Sequence, residues 1–203
     1  LLPAPFRLRF AAVSRWAAFN LWWLRLTCNL SFEVLGKENI PEQAGIILCK
    51  HQSAWETLAL QLVFPAQAWV LKRELLWIPI YGWGLATMNP IAIDRGAGAR
   101  ALRQLVRQGR RRLEKDIWVV IFPEGTRVAP GQRGNYQPGG GLLAAETGRP
   151  VIPVAHNSGW FWPRKSFRKH PGHIHMVIGP PIASAGRSAK EITALAEEWI
   201  EST

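Results

Sequence analysis

Cysteine is almost missing from this chain. Cys28 and Cys49 are the two in 203 residues and form no C-x-x-C pair, which argues against a disulfide framework or a cysteine-built zinc site. They read as reduced, buried thiols of a cytoplasmic compartment. Long hydrophobic runs are missing too. The nearest, Ala11 to Leu24, is interrupted by Arg15 and falls short of the ~20 apolar residues a membrane-crossing helix needs. No signal-peptide pattern is visible. The chain starts with Leu1 rather than methionine, which leaves room for an anchor ahead of it. Internal repeats, low-complexity tracts and linkers are lacking, and the length fits one globular domain with an appended surface helix. Acidic residues are few, 14 against 25 Lys and Arg.

What the chain has instead is positive charge and tryptophan. Its net charge is +11 and it carries eleven Trp. A surface of that sign favours nucleic acid, anionic lipid or a phosphorylated substrate. Tryptophan tips the balance toward the membrane interface, where its ring is apolar and its N–H stays wet. Phe6 to Leu30 read as one helix in which Phe10, Val13, Trp16, Ala17, Leu21, Trp22, Trp23 and Leu24 mix with Arg7, Arg9, Arg15 and Arg25. That mixture predicts an amphipathic helix lying at a membrane surface. Residues 1–30 are therefore expected to form the membrane-association helix, and residues 31–203 the domain that carries the chemistry.

Beyond it, short apolar runs alternate with helical patterns. Gly45–Cys49, Ala68–Leu71, Ile91–Ile93, Trp118–Phe122, Val151–Ala155 and Ile174–Gly179 read as strands. Ala54–Val63 and Gly96–Lys115 read as helices between them, and a last helix begins at Ser188, where Ser188 and Glu191 form a capping box. Its expected buried stripe is Ile192, Leu195, Ala196 and Trp199. The alternation implies an α/β fold with a mostly parallel central sheet flanked by helices. Such sheets carry their chemistry on loops after the strand C-termini.

Four of those loops are informative. In Lys50-His51-Gln52-Ser53-Ala54-Trp55-Glu56, His51 should emerge at a strand end, with Ser53 as N-cap of the next helix. On one continuous helix His51 and Glu56 would point about 140° apart. Across a loop-to-helix junction Glu56 can instead hold the imidazole while the ring's other nitrogen takes a hydroxyl proton. A plain Ser53–Glu56 capping box explains Glu56 structurally as well. In Phe122-Pro123-Glu124-Gly125-Thr126-Arg127, Gly125 permits a tight turn, Thr126 and Arg127 offer donors suited to a phosphate, and Glu124 can accept from a substrate hydroxyl. Ile93-Asp94-Arg95 presents an arginine after a strand, either for phosphate or as a local ion pair. In Val151-Ile152-Pro153-Val154, Pro153 predicts an edge strand or a bulge, and His156 just beyond reads as structural.

Taken together, these segments resemble the glycerolipid acyltransferase family, especially its bacterial 1-acylglycerol-3-phosphate branch. The family's N-H-x-x-x-x-D block corresponds to Lys50-His51 through Glu56, with lysine and glutamate as departures. Its arginine block corresponds to Ile93–Arg95, its F-P-E-G-T-R block to Phe122–Arg127 in full, and its V-I-P-V block to Val151–Val154. The resemblance runs from about Glu33 to Pro181. It implies that His51 is the general base and Glu56 its partner. Arg95, Glu124, Gly125, Thr126 and Arg127 would then hold the acceptor, and Pro153 would lie near the acyl donor or serve the fold. The implied reaction moves a fatty acyl group from an acyl-CoA or acyl carrier protein thioester to the sn-2 hydroxyl of lysophosphatidate. No acyl-enzyme is implied, and no G-x-S-x-G elbow exists to form one. No metal or bound cofactor is called for.

The implied partners are a phospholipid membrane, lysophosphatidate and the acyl donor, with no nucleic acid. The implied location is the cytoplasmic face of a bacterial inner membrane. Acylation of a lyso-ornithine lipid or of glycerol 3-phosphate is the alternative within enzymes, and a basic membrane-surface binding protein the alternative outside them. His173 and His175 share a strand face, but no carboxylate stands near them in sequence, so no metal is expected there. Gly139-Gly140-Gly141 lacks the lysine of a nucleotide loop and is expected to loosen the backbone before a helix.

Overall fold

The computed structural model describes residues 4–203, the side chain of Arg95 excepted; residues 1–3 of the expected N-terminal segment lie outside them. Helix α1 spans Phe6–Cys28, two residues shorter than the sequence predicts. Asn29 ends it in the left-handed conformation (φ 49°), its N–H returning to the Leu24 carbonyl. The chain then enters strand β1, Leu30–Leu35, which the sequence reading does not resolve. Next come β2 (Ile46–Cys49), α2 (Trp55–Val63), β3 (Gln67–Lys72), α3 (Tyr81–Thr87), β4 (Ile91–Ile93) and α4 (Ala99–Leu113). The rest are β5 (Trp118–Ile121), α5 (Gly139–Thr147), β6 (Val151–His156), α6 (Ser158–Phe161), β7 (Gly172–Ile178) and α7 (Ala189–Ser202).

The strands form one seven-stranded sheet in the order β1-β7-β6-β2-β5-β3-β4. The expected α/β class holds. Strands β6, β2, β5, β3 and β4 are parallel, while β7 meets β6 antiparallel and β1 runs parallel to β7. Every residue of β2, β5 and β6 is buried, as both-face coverage of a central strand requires. Pro153 is thus in a central strand and not at an edge. Its missing N–H is tolerated because the β6–β7 ladder breaks beside it: pairing covers Val154–His156, and Val151 is bridged separately to Ile182. The ring lines a groove with Pro180, Ile182 and Trp199.

Three helical details differ from expectation. Gly98 (φ 48°) divides the Gly96–Lys115 pattern, so α4 proper starts at Ala99. In α7 the capping box is present, but the buried stripe is Ile192, Thr193, Ala196 and Ile200; Leu195 is exposed. Gly139, Gly140 and Gly141 do not loosen the backbone. They form the first turn of α5 and let it pack closely. A Cβ on Gly140 would come 2.5 Å from Leu48 of β2, and one on Gly141 would overlap the Ala189 carbonyl of α7. Gly84 in α3 has open space around it. Gly141→Ala is therefore expected to cost about 1–3 kcal/mol as overpacking, whereas Gly84→Ala should be neutral or stabilise by about 0.5–1 kcal/mol. Urea denaturation of the two variants checks this, and equal stabilities would contradict the packing role.

Candidate active site

Because β2, β5 and β6 are adjacent and parallel, their C-terminal ends meet at one edge of the sheet. The loop after β2 brings Lys50 and His51, the loop after β5 brings Phe122–Arg127, and the end of β6 brings His156 and Ser158. Hydrogen bonds stitch the three together: the Val128 N–H donates to the His51 carbonyl at 2.8 Å, and the Gly159 N–H to Gln52 Oε1 at 3.1 Å.

The core of the site is the Glu56 carboxylate, whose side chain is fully buried. Its Oε1 lies 2.7 Å from His51 Nδ1 and accepts the Gln52 and Ser53 N–H groups at 3.0 and 2.9 Å. Its Oε2 accepts the Ser53 and Ser158 hydroxyls, both at 3.1 Å. Glu56 thus holds the histidine and accepts the N–H groups ahead of α2, but the expected Ser53–Glu56 capping box is only half made: α2 has Ala54 as its N-cap and no side-chain cap bond. Ser53 Oγ accepts the Trp55 N–H at 2.8 Å, while Ala54 occupies the N-cap position itself. Burial alone would raise the Glu56 carboxyl, but the charge His156 gains at the acid pH where Glu56 titrates, with the hydrogen bond to His51, brings it down to about 2.

His51 is held by two further contacts. Its N–H donates to Glu124 Oε2 at 2.8 Å. Its ring stacks on Phe122 with centroids 3.9 Å apart and planes 15° from parallel. With Nδ1 fixed by Glu56, Nε2 makes no hydrogen bond among the described residues and the side chain is 15% exposed. Nε2 is thus the nitrogen available to take a proton.

His156 is structural, as expected. Its Nε2 faces the Lys50 carbonyl at 2.8 Å and its Nδ1 the Ser158 N–H at 3.3 Å. One nitrogen must donate and the other accept, which fixes a neutral imidazole. Burial keeps it below its ordinary pKa.

The network the sequence reading missed starts at Lys50. Its buried ammonium pairs with Glu124 Oε1 at 3.0 Å and Glu201 Oε1 at 2.5 Å, and donates to the Gln132 carbonyl at 3.1 Å. Tyr136 donates to the same Glu201 oxygen at 2.8 Å. Both Glu124 oxygens are thus engaged within the protein, on Lys50 and on the His51 backbone. The lysine's presence beside His51, where the resembled family has asparagine, was the available signal. Gly125 takes a positive φ of 67°, Thr126 is exposed, and Arg127 is half-buried with its carbonyl accepting Arg164 at 2.7 Å. Arg127 Nε is buried without a hydrogen-bond partner among the described residues. Arg95 follows β4 as expected, but its side chain lies outside the described residues.

The Glu56 arrangement has a pH signature. A carboxyl at about 2 in the fold against an ordinary 4.5 stabilises the protein above pH 4.5, and that contribution is lost as pH falls toward 2. The stability difference between the parent and Glu56→Gln, followed by urea denaturation from pH 6 downward, should shrink across that window. A constant difference would mean that Glu56 is not held ionised.

Residues 31–157 match the Acyltransferase family. Across 98% of its length the chain is 47% identical to the 1-acyl-sn-glycerol-3-phosphate acyltransferase of Pseudomonas aeruginosa, of which it spans 79%. Across 83% of its length it is 29% identical to human 1-acyl-sn-glycerol-3-phosphate acyltransferase alpha, of which it spans 61%. Its fold matches the crystal structure of the 1-acyl-sn-glycerophosphate acyltransferase PlsC from Thermotoga maritima with a TM-score of 0.77 and 25% identity, covering 95% of this chain and 77% of that one. With its histidine–carboxylate pair at the sheet's C-terminal edge, this chain is an enzyme that belongs to the acyltransferase family.

Proposed function

We propose that the enzyme transfers a fatty acyl group from an acyl-CoA or acyl carrier protein thioester to the sn-2 hydroxyl of 1-acyl-sn-glycerol 3-phosphate, giving phosphatidate. The observation that carries the reading is the His51–Glu56 pair with Nε2 unengaged. The names of the bacterial and human relatives support the acceptor. In the reaction Nε2 takes the proton of the sn-2 hydroxyl as its oxygen attacks the thioester carbonyl. Glu56 stabilises the imidazolium that results. Collapse of the tetrahedral intermediate expels the thiolate, which takes the proton back from His51. Arg127, whose Nε–H lacks a partner among the described residues, binds the acceptor phosphate together with Thr126 and Arg95, and the turn at Gly125 shapes the glycerol site. Glu124, engaged on both oxygens, acts by positioning His51. No step calls for a metal.

Helix α1, Phe6–Cys28, is the membrane contact in this reading. Ala17, Leu21 and Leu24 face the core, while Leu8, Trp16, Phe19, Trp22, Trp23 and Leu26 are exposed. It is therefore apolar on two sides, unlike the polar-outward helix of an ordinary soluble domain, and its outer side suits the acyl–headgroup boundary on the cytoplasmic face of an inner membrane. No helix among the described residues is long and apolar enough to cross a membrane.

In micelles with lysophosphatidate and a labelled acyl thioester, His51→Ala should lower the rate by at least ~10²-fold, the usual worth of a general base. Arg127→Ala should raise KM for lysophosphatidate more than it lowers turnover. Equal activity of parent and His51→Ala would refute the mechanism. Faster turnover of a lyso-ornithine lipid or glycerol 3-phosphate would replace the acceptor. Separately, replacing Trp16, Trp22 and Trp23 together by Ser should weaken binding to anionic vesicles at least tenfold in a sedimentation assay. Unchanged binding would remove α1 from the membrane contact.

A further inference from the structure

The sequence offers no carboxylate near His173 and His175, but the fold supplies one. β1 and β7 run parallel, with Ser31 opposite His173 and Glu33 opposite His175. The period of two places all four side chains on one face. Glu33, His173 and His175 are roughly half exposed, whereas the intervening Ile174 and the following Met176 are buried. Glu33 Oε1 lies 2.6 Å from His175 Nδ1, and Glu33 Oε2 lies 3.9 Å from His173 Nε2. The two imidazoles meet edge to face with centroids 5.0 Å apart. One ligand atom from each residue can be chosen so that all three lie within 4.8 Å of one another.

A cross-strand ion pair accounts for Glu33 and His175. It does not account for His173. That ring's Nδ1 is 2.8 Å from Ser31 Oγ, which turns Nε2 toward the same carboxylate. A hydroxyl or carbonyl on the far nitrogen is how metal-ligating histidines are commonly oriented.

We propose that Glu33, His173 and His175 form a three-ligand site for a divalent late transition ion, Zn²⁺ foremost. Two imidazoles and one carboxylate suit such an ion; Ca²⁺ and Mg²⁺ take all-oxygen sets. Around a tetrahedral Zn²⁺ with bonds of about 2.0–2.1 Å the ligand atoms stand about 3.3 Å apart. The Glu33–histidine separations of 2.6 and 3.9 Å, each to a different carboxylate oxygen, lie on either side of that spacing, and the exposed side chains can rotate to close on the ion. Three protein ligands leave a position open for water or an anion. The ion would clip the edge strand β1 to β7, and β1 follows α1 with only Asn29 between them. On its other side, the His175 N–H donates to Asn157 Oδ1 at 3.0 Å. Asn157 precedes Ser158, which donates to Glu56. The site therefore borders the catalytic loop without being part of it.

With a net charge of +11 the chain offers a cation no general attraction, so affinity has to come from the ligands and each should matter. The test uses untagged, chelator-stripped protein titrated with Zn²⁺ alone in competition with a chromophoric chelator. The parent should bind one ion per chain. Glu33→Gln and His173→Ala should each lose at least tenfold in affinity, and Ser31→Ala should lose less. All three positions are partly exposed, so the metal-free variants should stay folded and unfold within a few degrees of the parent. The absence of stoichiometric binding, or undiminished affinity in either ligand variant, overturns the site. Should a variant fail to fold, the Co²⁺ spectrum of the parent decides: strong visible bands of low-symmetry coordination support the site, and the weak spectrum of the aquo ion overturns it.

Discussion

A single buried carboxylate organises this molecule's chemistry. Glu56 sits without solvent, and an unpaired charge there would cost several kcal/mol. The sequence answers with donors from both sides of the helix start: two backbone N–H groups, two serine hydroxyls and the imidazole of His51. Meeting that demand satisfies N–H groups ahead of α2, gives His51 its orientation, and ties the end of β6 to the loop after β2. The resembled family uses aspartate at this place. The glutamate's extra methylene is accommodated because its helix-start position lets both oxygens reach across the turn.

A second charge system backs the first from behind. Lys50 lies between Glu124 and Glu201, with 7% of its side chain exposed. Each of the three would be costly to bury alone; together they are compensated. Through Glu124 the lysine fixes the backbone N–H of His51, and through Glu201 it joins the site to α7. The ring face of His51 rests on Phe122, so the proposed base is held at its backbone, its ring face and one ring nitrogen. That rigidity lowers the entropy a substrate must otherwise lose to find the base in position.

How much of this could be read in the sequence depended on how local the information was. The central strands were legible because both faces are buried, leaving continuous runs such as Trp118–Ile121 and Val151–Val154. The His51 and Phe122–Arg127 loops were legible as motifs. Strand β1 was not picked out: its edge position leaves Ser31-Phe32-Glu33-Val34, a short polar–apolar alternation without the continuous apolar run that marks the central strands. Pro153 reads as an edge or a bulge and is neither: it lies in a central strand, where pairing with β7 starts only at Val154. The glycines of α5 looked like freedom and are closeness, since what they approach, Leu48 and Ala189, comes from elsewhere in the chain. Lys50 with Glu201, and Glu33 with His173 and His175, were out of reach for the same reason. Side chains more than a hundred residues apart become neighbours only once sheet order is known.

The stitching of His51 also bears on how the chain reaches its active form. The groups that grip the histidine and its loop come from residues 56, 122, 124, 156 and 158, and the Gln52–Gly159 and Glu56–Ser158 bonds span 107 and 102 positions. Each local element can form early at little entropic cost, but these closures need β2 flanked by β5 and β6, the slow non-local part of assembly. The exposed tryptophans of α1 are therefore on offer to their surroundings well before the His51–Glu56 pair is gripped from all sides, so any contact that helix makes can be in place first.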